Sequence, residues 1–425
     1  MTKQQISDFV LPILLILENL FLYVFHDNGM DSQTVNAFGF FLCSVAFGIV
    51  LIYKFYKTNA TEETPKPEYY KYIIGLLFAC ATVVLLLNTA KVIRMNKIDA
   101  KVSDIIPTIQ VLVGRLRHHL NPYAYGSIEC FGYKTPSGYL PMHWMPFLAA
   151  DVLKFDYRWI PYIIWSIAVL VLCIRNINNA LWKQVLFLIF AAGNYYMITQ
   201  LSSGIIAITI ETMVAGYYML CIVGLNNKNS YVQGLLISFC LLSRYMLALW
   251  LPLWAFVLLS SGYSRSFLKS ALTILVIVSA MYVIPFLSKD WGEFFASLHT
   301  YQSYSINEWH HLNGNGLPMH LYNGFGFAYL FYEKYIVTDV QQGYELLKMM
   351  IYIVLSIAVV IMGIWYRINR SKLDHRIFLM ASLKIYLALF LAFIIVPYQY
   401  LMITANFVSM AIYIEQARYR LKSGI

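Results

Sequence analysis

The sequence has little charge and lacks the common motifs of nucleotide, metal and nucleophile chemistry. Only 12% of its 425 residues are charged and 60% are hydrophobic, which excludes a soluble globular protein. It contains no GxxxxGK(S/T) loop, no GxGxxG turn, no HExxH and no GxSxG. Nucleotide hydrolysis, dinucleotide redox chemistry, zinc proteolysis and nucleophile-elbow hydrolysis therefore lack their signatures. No cofactor is predicted.

Cysteine is also scarce, and its placement excludes a disulfide framework. Five of the six cysteines lie in apolar runs and only Cys130 lies in a long loop, so neither disulfide pairs nor a CxxC metal site can be assembled. The net charge of +10 is divided among short basic clusters between apolar runs. That pattern sets orientation in a membrane and gives no support to nucleic-acid binding.

Long apolar runs dominate what the sequence contains, and the mean hydropathy is +0.62. The first run has no small-residue cleavage site after it, so we predict a retained span and not a signal peptide. About twelve runs approach the length needed to cross a bilayer. They lie at about residues 8–26, 37–55, 72–91, 158–174, 184–199, 203–223, 231–243, 246–261, 267–287, 346–366, 377–396 and 399–415.

The short loops predict the orientation of these spans. If the N-terminus is cytoplasmic, every short inward loop contains Lys or Arg and the short outward loops contain none. This agrees with the positive-inside rule. The sequence therefore predicts an all-α polytopic membrane protein, a single domain over 1–425 with both termini in the cytoplasm.

Two long polar segments, 92–158 and 288–345, fall on the outer side in this topology. Both are rich in aromatic residues and broken by proline, and both are longer than a simple connection requires. Eight of the nine histidines lie in or beside outward segments. We expect the two segments to contain interfacial helices, to meet above the membrane and to form one site.

The run from Tyr231 to Ser261 is too short for two ordinary spans, and it turns at Arg244. An ionisable residue at such a place is a functional candidate. The alternative is an arginine that extends to the lipid headgroups.

Polar residues also occur within predicted spans, and we expect them to form hydrogen bonds between helices. They are Glu18, Asn19, Asn194, Glu211 and Lys384.

The first outer segment contains a helical pattern that begins just after Asp104. Ile105, Ile109 and Leu112 recur at helical spacing, which predicts an amphipathic helix lying on the outer leaflet. Such a helix places Asp104 at the boundary between membrane and water, where the headgroup of a lipid-phosphate donor lies. The alternative role for Asp104 is a helix N-cap.

These features resemble the GT-C superfamily of glycosyltransferases. The resemblance is strongest to the polytopic mannosyltransferase-like branch that includes actinobacterial enzymes using polyprenyl-phosphate mannose. It rests on Asp104 at the start of the outer loop, the amphipathic stretch, Asn121-Pro122-Tyr123, Tyr139-Leu140-Pro141 with Pro146, and Arg244-Tyr245 in the short helical pair. It covers the hydropathy pattern from about residue 72 to the end.

The resemblance implies an enzyme of the bacterial inner membrane whose active site faces outward. It would transfer a hexose or pentose, with mannose-like sugars expected first, from a polyprenyl-phosphate carrier to a lipid, glycan or protein, with inversion at the anomeric carbon. Asp104 would be the general base, with Asp99 and Glu129 as substitutes. The donor phosphate would be bound by cationic side chains, Arg244 and one of His310, His311 and His320. Aromatic and amide side chains would bind sugar or acceptor: Asn121, Tyr123, Tyr139, Trp144, Trp309 and Tyr322.

Other functions remain open at this point. An O-antigen ligase or polymerase would use a lipid diphosphate and place its chemistry in the late loop. A polysaccharide or lipid flippase would form no covalent product. A purely structural membrane scaffold would not need the two histidine-bearing outer segments. A zinc site on His310, His311 and His320 lacks a completing ligand at a recognisable spacing, so no metal is predicted.

Overall fold

The computed structural model describes residues 3–24, 33–57, 60–62, 69–124, 137–200, 205–312, 314, 316–336 and 339–421. These residues are mainly α-helical. The helices are α1 (Lys3–Asn19), α2 (Thr34–Phe55), α3 (Tyr69–Met95), α4 (Ile105–Arg117), α5 (Pro141–Trp144), α6 (Leu148–Leu153), α7 (Trp159–Arg175), α8 (Leu181–Gln200), α9 (Ile205–Ile208), α10 (Glu211–Leu225), α11 (Ser230–Leu241), α12 (Leu251–Ser260), α13 (Ser264–Val278), α14 (Trp291–His310), α15 (Met319–Tyr322), α16 (Ala328–Tyr335), α17 (Val340–Asn369), α18 (His375–Ala392) and α19 (Met402–Gln416).

Shorter elements complete the described chain. π-helical turns extend α1 over Leu20–Val24 and α13 over Ser279–Leu287, and 3-10 turns occupy Met145–Phe147, Tyr245–Trp250 and Gln399–Leu401. One antiparallel ribbon pairs β1 (Ala60–Glu62) with β2 (Tyr419–Leu421).

Six helical segments of the described chain are long and apolar enough to cross a membrane. They are Ile6–Val24, Thr34–Phe55, Tyr69–Met95, Ser264–Leu287, Val340–Asn369 and His375–Ala392. Each predicted span overlaps at least one helix, although the span at 203–223 is divided between α9 and α10, and the remaining helices are shorter or less apolar. The expectation of several membrane helices is confirmed, and a total of twelve crossings stays a prediction.

The centre of the bundle is formed by α10, α18 and α19. Every residue of α19 is buried, and α10 packs against α7, α11 and α19. In contrast, α3 and α17 lie outside and expose apolar side chains such as Leu76 and Val360. A continuous apolar surface of this kind is unfavourable in water and favourable in lipid. The chain is therefore an integral membrane protein.

The predicted helix of the first outer segment is confirmed as α4, but its apolar face has a different environment. Ile106, Ile109, Leu112 and Val113 are buried, and α4 packs on α5 and the 3-10 turn that follows it. The helix rests on protein where contact with the outer leaflet was expected, because the proline-broken chain after it folds underneath.

An ion pair lies in the interior between α1 and α18. Lys384 Nζ lies 3.0 Å from Glu18 Oε1, and both side chains are fully buried. Ser44 and Ser409 donate hydrogen bonds to the same glutamate oxygen. The pair joins α1, α2, α18 and α19, and it fits the predicted role of polar groups within spans as links between helices.

Removing one member of this pair is expected to destabilise the protein strongly. Lys384→Met leaves Glu18 as an uncompensated buried charge, which costs about 3–5 kcal/mol. The measurement is the thermal unfolding midpoint of detergent-solubilised protein. Glu18→Gln/Lys384→Met should recover most of the loss and Lys101→Met, at an exposed position, should have no effect. A single variant as stable as wild type would contradict this account.

Candidate active site

Asp104 lies directly before α4, at the outer end of the bundle. Its side chain is exposed and makes no capping hydrogen bond to the helix, so the N-cap alternative does not describe its role in the structure. The preceding residue, Ser103, is fixed because its hydroxyl donates to the carbonyl of Ile208 at 2.8 Å. The carboxylate is thus held at a defined place while its oxygens remain accessible.

The two long outer segments meet, as the sequence predicted. Asn121 Nδ2 donates to Glu293 Oε2 at 3.1 Å, which joins the loop after α4 to the first turn of α14. At the other end of α14, Glu308 lies close enough to Asp104 for the two carboxylates to interact electrostatically. His320 Nε2 lies 3.3 Å from Glu308 Oε2. We refer to Asp104, Glu308 and His320 as the carboxylate cluster.

The segment between α18 and α19 is packed tightly against the second outer segment. Phe325 N donates to Pro397 O at 2.6 Å. A Cβ on Gly324 would lie 2.5 Å from Pro397 Cγ and 2.3 Å from a backbone oxygen, which no side chain tolerates. This close approach brings Tyr398 beside His320, with the two rings edge to face and their centroids 5.0 Å apart.

Arg244 lies at the turn after α11 and forms a second charged cluster. Its Nη2 lies 2.5 Å from Oε2 of Glu211, the first residue of α10. Thr404 Oγ1 donates to the other oxygen of Glu211 at 3.3 Å. The arginine Nε is buried and has no hydrogen-bond partner among the described residues, so this donor remains for a ligand. We refer to Arg244 and Glu211 as the arginine cluster.

Two stacked tyrosines connect the clusters. The rings of Tyr398 and Tyr400 are 5.2 Å apart at an interplanar angle of 10°. The hydroxyl of Tyr398 lies within electrostatic range of Asp104 and Glu308. Tyr400 lies within the same range of Arg244 and Glu211. Asp104 and Arg244 therefore lie near the same aromatic pair although they are distant in sequence.

The protein environment alters the titration of the carboxylate cluster. Nearby protein partly excludes water from the exposed Asp104 carboxyl, and this, together with the negative charge of Glu308, raises the pKa of Asp104 above its ordinary value. Burial lowers the pKa of His320, and nearby His311 lowers it further, although Glu308 opposes the shift. Asp104 thus binds a proton more strongly than an ordinary aspartate.

His143 lies beside the arginine cluster as a neutral imidazole. Burial and the charge of Arg244 hold its pKa well below the ordinary value. Nδ1 lies 3.3 Å from the carbonyl of Ser243, and Nε2 has no hydrogen-bond partner among the described residues. The ring of Tyr139 stacks on it at 4.2 Å. An imidazole that donates through Nδ1 presents Nε2 as an acceptor for a hydroxyl group.

Several aromatic residues expected to bind sugar have packing roles. Tyr123 is buried, donates to the carbonyl of Tyr139 at 2.7 Å and accepts from Trp144 Nε1 at 2.8 Å. Trp144 and Trp309 are fully buried, and Trp309 donates to the carbonyl of Ile395 at 3.0 Å. Tyr322 packs near Tyr329. Sugar contact by these rings stays a prediction, and Tyr139 is the one placed beside the charged clusters.

The remaining candidates are dispersed. His310 is exposed at the end of α14, while His311 lies 6.3 Å from His320, ring to ring. Asp99 is exposed and accepts a hydrogen bond from the backbone of Lys101 at 2.9 Å. Glu129 lies outside the described residues.

The sequence interpretation missed Glu308 and the tyrosines at 398 and 400. Glu308 stands two residues before the histidine pair that was singled out, and this proximity was the available signal. Tyr398 lies in a segment interpreted only as a short outward connection, and Tyr400 lies at the start of the last predicted span. Among the described residues, no group of three or more His, Cys, Asp or Glu side chains could hold a metal ion.

Comparison with known proteins gives no relative: no family model, curated protein or solved structure matches this chain.

The interaction of Glu308 with Asp104 can be tested by chemical labelling. Carbodiimide reacts with a protonated carboxyl group, so labelling of the Asp104 peptide, followed by mass spectrometry across pH, reports its pKa. Glu308→Gln removes a repulsive negative charge and should shift the labelling midpoint to lower pH. Glu333→Gln, an exposed change in the same outer segment, should leave it in place. An unchanged midpoint in Glu308→Gln would show that the two carboxylates do not interact.

Proposed function

We propose that the protein is a membrane glycosyltransferase that moves a sugar from a polyprenyl-phosphate carrier to a hydroxyl group of a lipid, glycan or protein. The observation that carries the proposal is that an accessible carboxylate, Asp104, and a partly free guanidinium, Arg244, both lie within electrostatic range of one stacked tyrosine pair. A transfer reaction of this type needs a base at one side of the sugar and a cation at the leaving phosphate.

In the proposed reaction, Asp104 accepts the proton of the acceptor hydroxyl. The acceptor oxygen forms a bond to the anomeric carbon while the bond from that carbon to the phosphate oxygen breaks. The lipid phosphate leaves with the electron pair and gains negative charge. A raised pKa suits this role, because a base is most effective when its pKa approaches the working pH.

Arg244 would stabilise the leaving phosphate. A guanidinium binds two phosphate oxygens at once, and charge-assisted bonds of this kind are about twice as strong as neutral ones. Glu211 compensates the charge of Arg244 when no substrate is bound, and the free Nε supplies a further donor. Neutral His143 supplies an acceptor for a sugar hydroxyl.

An apolar groove supports a lipid-linked donor. It has a volume of about 520 Å³ and lies between the end of α4 and the π-helical turn after α13. Leu116, Leu120, Met281 and Phe286 line it, and Lys289 lies at its edge. Its size and apolar lining suit part of a polyprenyl chain, and Lys289 at its edge suits a phosphate at the boundary with water.

The proposed topology completes this assignment. About twelve crossings with both termini in the cytoplasm place the carboxylate cluster on the outer face of a bacterial inner membrane. The donor would reach the site from within the outer leaflet, and the acceptor would arrive from the aqueous side. Neither step needs nucleotide hydrolysis, because the sugar phosphate bond already supplies the free energy.

A lipid-diphosphate ligase or polymerase is the second candidate, and the position of Glu308 favours it. That residue belongs to the late outer segment, where a ligase places its chemistry, and it lies beside Asp104. In a ligase Glu308 would be the base, and Asp104 would adjust its pKa.

Substitution of the two carboxylates distinguishes these functions. Asp104→Asn should lower transfer of radiolabelled sugar from synthetic polyprenyl phosphates by about 10²–10⁴-fold, since it removes the general base. Asp99→Asn is the matched control in the same segment and should retain activity.

Activity that survives Asp104→Asn but disappears in Glu308→Gln with a lipid-diphosphate donor would establish the ligase. A wild-type protein that consumes neither donor but moves lipid between leaflets would establish a flippase and overturn both enzymatic proposals.

Substitution of Arg244 tests the phosphate site. Arg244→Gln/Glu211→Gln removes the cation without leaving a buried charge and should lower kcat/KM by about a hundredfold or more. Arg244→Lys keeps the charge but loses the two-pronged geometry, so it should give an intermediate loss. Arg117→Gln changes a surface arginine of the same outer face and should have little effect. Full activity in the double variant would exclude Arg244 from the reaction.

A further inference from the structure

A second charged pocket lies at the opposite end of the bundle from Asp104. It has a volume of about 420 Å³ and forms where α11 and α13 begin. α11 spans 12 residues from this pocket to the turn that holds Arg244, a rise of about 18 Å. The proposed donor site and this pocket are therefore separate, although they share α11 and α13.

Three cations line the pocket without an acidic partner. They are Lys228, Arg265 and Lys269. None of the ion pairs among the described residues involves them, whereas the interior cations Arg244 and Lys384 are each paired with a carboxylate. Lys269 does contact a ring, with its Nζ 5.7 Å from the centroid of Tyr231. Three unpaired positive charges around one cavity create a positive potential that suits an anion.

Polar groups of the backbone and of serine side chains add donors to the same cavity. The hydroxyls of Ser230 and Ser266 are 2.7 Å apart and connect the starts of α11 and α13. The residue before α13 makes no side-chain cap, so the first amide groups of that helix lack this partner. Helix amides, hydroxyls and cations together form the donor set that binds phosphate oxygens.

The two helices that form the pocket are packed closely, so its shape is defined. Ser270 is buried and donates to the carbonyl of Ser230 at 2.8 Å. A Cβ on Gly234 would lie 2.6 Å from the carbonyl oxygen of Ser270, and only glycine permits this approach of α11 to α13. The close packing of α11 and α13 therefore holds the three cations in defined positions around the pocket.

An apolar face continues from the pocket along α13. Leu268, Leu272 and Leu275 expose 67%, 56% and 62% of their surfaces, and their spacing aligns them on one side of the helix. A ligand that combines a phosphate with apolar chains would occupy the pocket and this face together. A soluble phosphate compound would leave the leucine face unused.

We propose that this pocket binds the phosphate of an anionic phospholipid, with the acyl chains along the Leu268 face. In the predicted topology the pocket faces the cytoplasm, and anionic lipids give that leaflet its negative surface potential. The bound lipid fixes the starts of α11 and α13, and so supports the turn that carries Arg244.

The test measures lipid binding to the purified full-length protein. Native mass spectrometry and thermal unfolding are recorded in detergent with phosphatidylglycerol, phosphatidylcholine or soluble glycerol phosphate. Wild type should retain phosphatidylglycerol in preference to phosphatidylcholine and unfold at a higher temperature with it. Each basic side chain near an anionic lipid contributes about fivefold in affinity, so Lys228→Gln/Arg265→Gln/Lys269→Gln should weaken binding about a hundredfold.

The matched control is Arg367→Gln/Lys372→Gln, two exposed cations predicted on the same side but outside the pocket. This variant should bind phosphatidylglycerol as wild type does. Equal weakening in the control would show diffuse attraction to the charged surface and would overturn the proposal. Stabilisation by glycerol phosphate equal to that by phosphatidylglycerol would overturn the lipid assignment. Arg265→Gln alone, at an exposed position, provides a folded partial variant if the triple variant proves unstable.

Discussion

The ion pair between Arg244 and Glu211 is the interaction on which the candidate site depends. An arginine at the end of a short helix inside an apolar bundle is costly unless a counter-charge and hydrogen bonds compensate it. Glu211 supplies the counter-charge, and Thr404 holds the glutamate. Because α10 and α19 both contribute to this contact, the cation is retained below the outer segments and not released to the lipid headgroups. A phosphate group that reaches Arg244 would therefore meet a positive charge that is already fixed in place.

The outer segments complete the site from above. Asn121 joins them to each other, and the close contact of Gly324 with Pro397 joins the second segment to the α18–α19 connection. An accessible carboxylate, a second carboxylate and a histidine thereby lie near the two stacked tyrosines. The carboxylates and the guanidinium of the candidate site therefore come from different parts of the chain.

Periodicity and hydropathy predicted the parts of the fold that depend on local pattern. The helices, the short pair around Arg244 and the helix after Asp104 all follow from the spacing of apolar residues. What faces α4 could not be predicted, because an apolar face packs equally well on lipid or on protein. Glu308 and Tyr398 were not predicted as site residues for a related reason. Their place in the site depends on tertiary contacts between distant segments, and a single sequence does not show such contacts. Tyr123 and Trp144 show the converse, since an aromatic residue in a polar loop can be buried by its own loop.

The most direct test of the account is a cryo-electron microscopy structure of the protein in lipid nanodiscs with a non-hydrolysable polyprenyl-phosphonate sugar. The phosphonate oxygens should lie within hydrogen-bond distance of Arg244. The anomeric carbon should lie on the side of Tyr398 that faces Asp104. A phosphonate bound away from Arg244, or a sugar that Asp104 cannot reach through one acceptor hydroxyl, would contradict the account.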